Sequence, residues 1–453
     1  MKAAQLQSLG RKTEPKTVLA HGCFDVLHLG HKRHLEEARS LGDRLVVSIT
    51  PDHLVNKGPG RPVFNAEERR EMLLALDCVD DVIIAPGPTA RSAIEQIKPD
   101  VYVKGIDYLD SEHPDHKDDI RAAEALGGRV HITKTAKWSS SRIINTERLS
   151  EEANRYLDAA RTRWRMDDIR RAFNRADALN ILFVGETIID EYRYVSALAK
   201  PSKEFILATV EAKAPEQFLG GVVAASLHAD WANVKVITED GVPVKKTRYV
   251  DADFGKKLFE VYNKTRLEPT DYQRQSFMDK LAMAQADVVV VFDFGHGLID
   301  DNARKDLKSF GGFLAVNAQT NAGNYGFNPV SKYQGAHLAC VDLPEARLSA
   351  SRQYGQPGEL AGTLGFKRVI ITAGRHGSYC PGHVPAFGTR AIDTMGAGDA
   401  FLSVAAPLIA AGLDIEAATL VGNVAGGLKT EIVGHRRHVG RDELLQAVEC
   451  LLK

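Results

Sequence analysis

The chain has no apolar run of membrane-spanning length that is free of charge in its 453 residues. The opening stretch MKAAQLQSLGRKTEPKT also lacks the apolar core of a signal peptide, so a soluble, cytoplasmic protein is expected. Cysteine is sparse: Cys23, Cys78, Cys340, Cys380 and Cys450 are scattered, with no CxxC, which argues against a disulfide framework or a zinc site. Excess charge is missing too. Lys and Arg number 58 against 59 Asp and Glu, a formal net charge of -1. Such balance gives no general attraction to nucleic acid or anionic membrane, so any anion must be met by a local site. No short repeat or low-complexity tract is present.

The length exceeds one ordinary core and predicts two or three domains. From Thr17 to about Ile144, strand-length apolar runs (TVLAHG, LVVSIT, CVDDVIIAP, DVYVKG, RVHITK) alternate with longer amphipathic stretches. That alternation predicts parallel strands joined by helical crossovers, with ligands at the strands' C-terminal ends. Residues 149–178, free of Pro and Gly and rich in charge and helix formers, read as a helical connector. Its arginines (Arg161, Arg163, Arg165, Arg170, Arg171) are interleaved with acids and read as a solvated face rather than a nucleic-acid patch. A second strand-first pattern begins at ILFVGETIID, continues through VKVIT, DVVVVFDFG, FLAVNA and RVIITAG, and ends in helices from Gly396 onward. The expected fold class is therefore α/β with two doubly wound domains, at residues 1–148 and 179–453.

Two constellations carry chemistry. In the first, His21-Gly22-Cys23-Phe24-Asp25 closes the first strand and His28-Leu29-Gly30-His31 opens a helix. A helix N-terminus exposes unpaired N–H groups and partial positive charge, so this junction suits a phosphate. Gly30 permits close backbone approach, and His28 and His31 can donate hydrogen bonds to oxygens that gain charge in a transition state. Lys57-Gly58, Arg61-Pro62 and Arg69 add cations after the second strand. Lys104-Gly105-Ile106-Asp107-Tyr108 follows the fourth, and Trp138-Ser139-Ser140-Ser141-Arg142 opens the last helix. Cys23 reads as a small core residue and His34 as a surface one.

These motifs resemble the cytidylyltransferase-like nucleotidylyltransferases over about residues 17–148, and imply a Rossmann-like domain. LGDRLVVSIT, GRPVF and KGIDY most resemble the adenylyltransferase half of the bifunctional heptose-phosphate kinase/heptose-1-phosphate adenylyltransferases. The resemblance implies that His28 and His31 stabilise the α-phosphate while Lys57 and Arg69 hold phosphates. It further implies that Ser139, Ser140 and Ser141 bind the triphosphate tail, and that Gly22, Phe24, Gly30, Lys104 and Asp107 line the nucleotide. Mg2+ would neutralise the leaving pyrophosphate, with ATP, or else CTP, as the nucleotide.

The second constellation is Asp393-Thr394-Met395-Gly396-Ala397-Gly398-Asp399-Ala400-Phe401, ahead of the apolar helix LSVAAPLIAAG. Its glycines permit a tight anion-holding turn, and Asp399 can accept a proton from an attacking hydroxyl. The motif resembles the signature of ribokinase-like sugar kinases over about residues 180–453, supported by Asp190, Gly220-Gly221, VFDFGHG, VIITAGRHGS and Asn423. It implies a small β flap, Asp399 as the base, and phosphate contacts from Gly396, Ala397, Gly398 and Asn423. Asp190, Gly220 and Gly221 would meet the sugar, and Asp342 and Glu345 would orient Mg2+ through waters, the alternative being that Glu345 simply starts a helix. Ala224 stands where the family has a sugar-binding Asn, the segment after VKVIT is short, and Asn317-Ala318-Gln319 replaces DPK.

The whole chain resembles the bifunctional heptose enzymes with the halves exchanged. The expected function is phosphorylation of a sugar phosphate and nucleotidyl transfer to a sugar 1-phosphate. Its partners would be sugar phosphates and nucleotides, without nucleic acid or membrane, and a homodimer would form through the flap. The alternative keeps only the nucleotidylyltransferase and makes the C-terminal half a noncatalytic binding or dimerisation module.

Overall fold

The computed structural model describes residues 15–55, 62–87, 89–105, 114–133, 149–198, 206–388 and 391–452. They divide into two compact units, Met1–Arg148 and Leu149–Lys453.

In the first unit five parallel strands, β1 (Thr17–Gly22), β2 (Arg44–Ile49), β3 (Asp81–Ile84), β4 (Val101–Lys104) and β5 (Arg129–Ile132), stand in the order β3-β2-β1-β4-β5. Helices α1 (Leu29–Arg39), α2 (Ala66–Leu74), α3 (Arg91–Ile97) and α4 (Pro114–Ala125) connect them. Strand β1 is central and apolar without alternation because both of its faces are covered. Val18 and Ala20 pack with Leu35 and Val103, while Leu19 packs on the other side with Ile94 and Tyr102. The chain winds one way from β1 to β3 and the other way from β4 to β5, which leaves a crevice at the C-terminal ends of β1 and β4.

The second unit begins earlier than a connector would allow. Residues 149–178 form α5 (Glu151–Arg163) and α6 (Met166–Asp177). Ala153, Leu157 and Ala160, then Ile169, Ala172, Phe173 and Ala176, make apolar stripes buried in the same core as the C-terminal helices. The arginines of these helices meet local partners, with Arg163 on Glu416 at 2.9 Å and Arg170 on Glu449 at 2.8 Å. The segment is thus an integral layer of the second unit, because its helix-spaced apolar residues need cover.

The main sheet of this unit contains β6 (Asn180–Gly185), β10 (Asn233–Ile237), β13 (Val288–Asp293), β14 (Phe313–Ala318), β15 (Leu338–Asp342), β16 (Val369–Thr372), β17 (Ser378–Tyr379) and β18 (His383–Val384). Its order is β10-β6-β13-β14-β15-β16-β17-β18, parallel except for the last two pairings. A second sheet, the flap, runs β12-β11-β7-β8 with β9 also on β7. Its strands are β7 (Thr187–Ala197), β8 (Thr209–Glu211), β9 (Glu216–Gly221), β11 (Val244–Asp251) and β12 (Lys257–Tyr262).

Helices α7 (Val222–Leu227), α8 (Asp271–Met283), α9 (Asp301–Ser309), α10 (Leu343–Ser349), α11 (Pro357–Leu364), α12 (Ala397–Ala410), α13 (Ile415–Thr430) and α14 (Arg441–Leu452) complete the unit. Every residue of β13 is buried, and alternate side chains serve the cores on the two faces of the sheet. Helix α12 is buried from Ala400 to Ile409, which fixes the start of that helix rigidly beside the sheet.

Candidate functional site

In the first unit the predicted histidines meet at the start of α1. His28 is the N-cap, and its Nδ1 accepts from the His31 backbone N–H at 3.3 Å. The two rings stack with centroids 3.8 Å apart, and Phe24 lies edge-on to His31 at 5.2 Å. Phe24 holds a left-handed φ of 48°, and the Asp25 carboxylate accepts from Val63 N at 2.6 Å and Phe64 N at 3.0 Å. The HGCFD turn is thereby clamped, so that both imidazoles sit where β1 ends and the crevice opens. Gly22 ends β1, and Gly30 is buried in the first turn of α1.

Arg69 departs from its expected phosphate role. Its fully buried guanidinium donates to the backbone carbonyls of Phe64 at 3.0 Å, Cys23 at 2.6 Å and Thr50 at 2.9 Å, and to Asp52 at 2.6 Å. It ties the ends of β1 and β2 to α2, so it positions the histidine loop from behind. Lys104, at the end of β4, is also buried. It pairs with Asp119 at 3.2 Å, and burial lowers its pKa against the pull of that carboxylate. His34 is half-buried rather than superficial, bonded to Thr133 at 2.9 Å, and burial lowers its pKa to about 4. Lys57, Asp107, Ser139, Ser140 and Ser141 lie outside the described residues.

In the second unit, Gly396 caps α12 with a left-handed φ of 74°, and Ala397, Gly398 and Asp399 form the helix's first turn. A Cβ on Gly398 would meet nothing within 4 Å, so the helix start keeps the open space an anion's oxygens need. Asp399 accepts from Gln319 Nε2 at 2.8 Å. Burial raises its pKa to about 6, against the opposing effects of His435 and the Gln319 hydrogen bond. Asp393 anchors the turn: it binds Lys257 at 2.6 Å and accepts from the Tyr192 hydroxyl at 2.9 Å, Gly434 N at 2.9 Å and Met395 N at 3.1 Å. Lys429, fully buried, donates to the carbonyls of Met395 at 2.9 Å and Gly434 at 2.7 Å.

Facing this turn is the inner face of the flap. Asp190 pairs with Arg248 and lies 3.2 Å from His435. Burial would raise its pKa, but the His435 hydrogen bond and the Arg248 charge outweigh that and hold it low. Gly220 makes this carboxylate's position possible, since a Cβ there would stand 2.2 Å from Asp190 Oδ2. Gly221 has a φ of 64°, and a Cβ on it would lie 2.3 Å from the Glu186 carbonyl. Ala224, where the resembled kinases have Asn, is buried in α7.

Two expectations need correction. Asn423 is consumed in the fold: it accepts from Ser378 at 2.6 Å and donates to the carbonyls of Val384 and Pro385, both at 2.9 Å. Asp342 and Glu345 form the capping box of α10, with Glu345 N on Asp342 at 2.7 Å and Asp342 N on Glu345 at 2.8 Å. The other Glu345 oxygen accepts from Thr320 N at 3.0 Å, and burial raises this carboxyl to about 8. Backbone N–H groups thus satisfy a side chain that was expected to orient a metal. Among the described residues no group of three His, Cys, Asp or Glu could hold a metal ion.

Arg248, Lys246, His435, Lys429 and Gln319 were missed as site residues by the sequence reading. Alternation in VKKTRYV could have paired Lys246 with Arg248 on one face, whereas nothing local marks His435 or Lys429. Glu186 was also missed. It lies at the crevice between β6 and β13, accepts from Phe294 N at 2.9 Å and His296 N at 3.1 Å, and burial raises it to about 8.

Residues 19–146 match the Cytidylyltransferase-like family, and residues 330–437 match the pfkB family of carbohydrate kinases. The chain is 40% identical over 136 residues to the bifunctional protein HldE of Pseudomonas syringae pv. syringae, and 47% identical over 139 residues to that of Pseudomonas fluorescens Pf-5. Each match covers 30% of this chain and 28% of the relative. The chain thus spans less than a third of the length of these curated relatives. A ribokinase structure from Thermotoga maritima aligns over 60% of this chain and 99% of its own, with 18% identity and a TM-score of 0.47. No helix among the described residues is long and apolar enough to cross a membrane. The chain joins an N-terminal cytidylyltransferase-like domain, similar to part of the HldE proteins, to a C-terminal pfkB-family carbohydrate kinase domain.

Proposed function

We propose that the chain is a bifunctional enzyme of sugar activation. The C-terminal unit transfers the γ-phosphoryl group of ATP to a hydroxyl of a sugar phosphate. The N-terminal unit lets the phosphate of a sugar 1-phosphate attack the α-phosphorus of a nucleoside triphosphate, forming an NDP-sugar and expelling pyrophosphate. Asp399 in the first turn of α12, with its carboxyl raised to about 6, is the observation that carries the kinase half. A carboxylate with that affinity is deprotonated near neutrality yet basic enough to take the proton of the attacking hydroxyl. The turn at Gly396–Gly398 offers backbone N–H groups to the transferred phosphoryl.

In the transferase half, His28 and His31 donate to the α-phosphate oxygens as charge gathers there, and Arg69 holds their loop in place. Mg2+ enters with the nucleotide and supplies neutralisation of phosphate charge. ATP is the nucleotide we favour for both halves, and product analysis distinguishes it from CTP in the second. Dependence on ATP and five scattered cysteines with no CxxC suit a cytoplasmic enzyme. Heptose phosphates are the first acceptors to assay, and a homodimer through the flap is part of the same reading.

One observation favours the noncatalytic alternative for the C-terminal half: Asp190, the expected sugar ligand, is already paired with Arg248 and His435. The test is product analysis on the full chain with sugar phosphates, sugar 1-phosphates, ATP and CTP. Formation of both ADP and pyrophosphate with matching acceptors supports the bifunctional reading. Pyrophosphate without ADP from any acceptor replaces it with the alternative.

A further inference from the structure

Among the described residues, the flap's inner face carries one buried cation that makes no hydrogen bond, Lys246. Parallel register sets Lys246 beside Asp190 and Arg248 beside Tyr192. On the other edge Lys246 meets Tyr262 and Arg248 meets Glu260, so all six residues share one face. That face lies against the anion-holding turn, because Tyr192 donates to Asp393 and Arg248 reaches Met395 Sδ at 3.6 Å.

The neighbouring cations are committed: Arg248 to Asp190, Lys257 to Asp393, and Lys429 to two carbonyls. Lys246 is only 8% exposed. Its Nζ stands 5.1 Å from the centre of the Tyr262 ring, and the charges that favour its ammonium form, those of Asp190, Glu260 and Asp399, act without a hydrogen bond to it. Burial lowers its pKa accordingly. A buried ammonium without a hydrogen-bonding counter-charge is costly, and a bound anion removes that cost.

We propose that Lys246 is the residue that selects an acceptor already carrying a phosphate, by holding that phosphate against the inner face of the flap. The inference rests on the kinase reading above and adds the group that recognises its substrate class. The transferred phosphoryl already has the start of α12, and the attacking hydroxyl has Asp399. Lys246 sits instead beside Asp190, on the acceptor's side of the cleft. Its anion is therefore a second one, borne by the acceptor.

The test uses the full chain, a non-hydrolysable ATP analogue to fill the nucleotide site, and calorimetric titration with inorganic phosphate and with a panel of hexose and heptose monophosphates. Lys246→Met should weaken at least one of these by tenfold or more. Lys246→Arg should keep it within about threefold, and unchanged thermal melts would establish that both variants fold. Binding that persists equally in Lys246→Met belongs to other sites and overturns the proposal, as does the absence of any binding by the wild type.

Steady-state ADP formation then separates roles. A rise in KM for the phosphorylated acceptor with kcat nearly kept fits an acceptor anchor. A fall in kcat at constant KM overturns the proposal and moves Lys246 to the transferred phosphoryl. If no acceptor yields ADP although Lys246-dependent binding is present, the kinase reading fails while the anion site stands.

Discussion

Gln319 Nε2 donates to Asp399 Oδ1 across 2.8 Å, joining the end of β14 to the first turn of α12. This bond leaves the second carboxylate oxygen for a substrate proton, and burial around the pair raises the acid's pKa to about 6. Only the deprotonated form can accept a proton. Kinase kcat/KM should therefore climb with pH through about 6 and level off above it. Asp399→Asn keeps size but not basicity, and should cost about a hundredfold or more in ADP formation while sparing pyrophosphate release. Full ADP formation by this variant would exclude Asp399 as the base.

The stacked pair His28 and His31 gives a separate prediction for the N-terminal unit. His31→Ala should lower nucleotidyl transfer by about a hundredfold, the usual cost of one donor to developing charge. His28 also caps α1, so His28→Ala should lose about 1 kcal/mol of stability as well. His28→Asn restores a capping side chain and should recover the stability without the rate. Pyrophosphate assays with thermal melts of all three variants check this.

Arg69 should behave as a structural residue. Arg69→Met strips donors from three carbonyls, those of Cys23, Phe64 and Thr50, each costing about 1–3 kcal/mol when left unsatisfied. A loss of about 3 kcal/mol or more is expected. The Asp52 pair contributes less because that carboxylate is 45% exposed. Hydrogen exchange at the β1 and β2 amides should accelerate in this variant. Unchanged protection together with weaker nucleotide binding would instead return Arg69 to a phosphate role.

On the outer face of the flap, Leu219, Phe259 and Val261 are 57%, 52% and 50% exposed, opposite in register to Asp190 and Lys246. A second copy of the chain covering this face would account for so much exposed apolar surface. Light scattering at micromolar concentration should give a dimer mass, and Phe259→Asp should give a monomer that still melts cooperatively. A monomeric wild type rules the dimer out.

Local pattern made both units readable. TVLAHG and DVVVVFDFG are apolar on both faces because parallel strands are covered twice, and a glycine beside a helix start marks each proposed phosphate site. Hence His28, His31, Gly396 and Asp399 could be picked from their neighbours in the chain. The flap was expected only from the resemblance, since β7 and its partner β11 lie some fifty residues apart in the chain.

What sequence alone determined, then, is the alternation of strands and helices and the helix starts at His28 and Gly396, features that depend on residues a few places apart. Tertiary structure decided which polar groups were left to act. Arg69, Asn423 and Glu345 have the right chemistry for phosphate or metal, yet backbone groups distant in sequence or at a helix cap claim their hydrogen bonds. Lys246 has an unremarkable sequence context, yet the packing of β11 against the turn before α12 buries its ammonium without a bonded partner. A side chain's free hydrogen-bonding capacity is what remains after the fold has taken its share, and that remainder is set by neighbours that only the folded chain brings together.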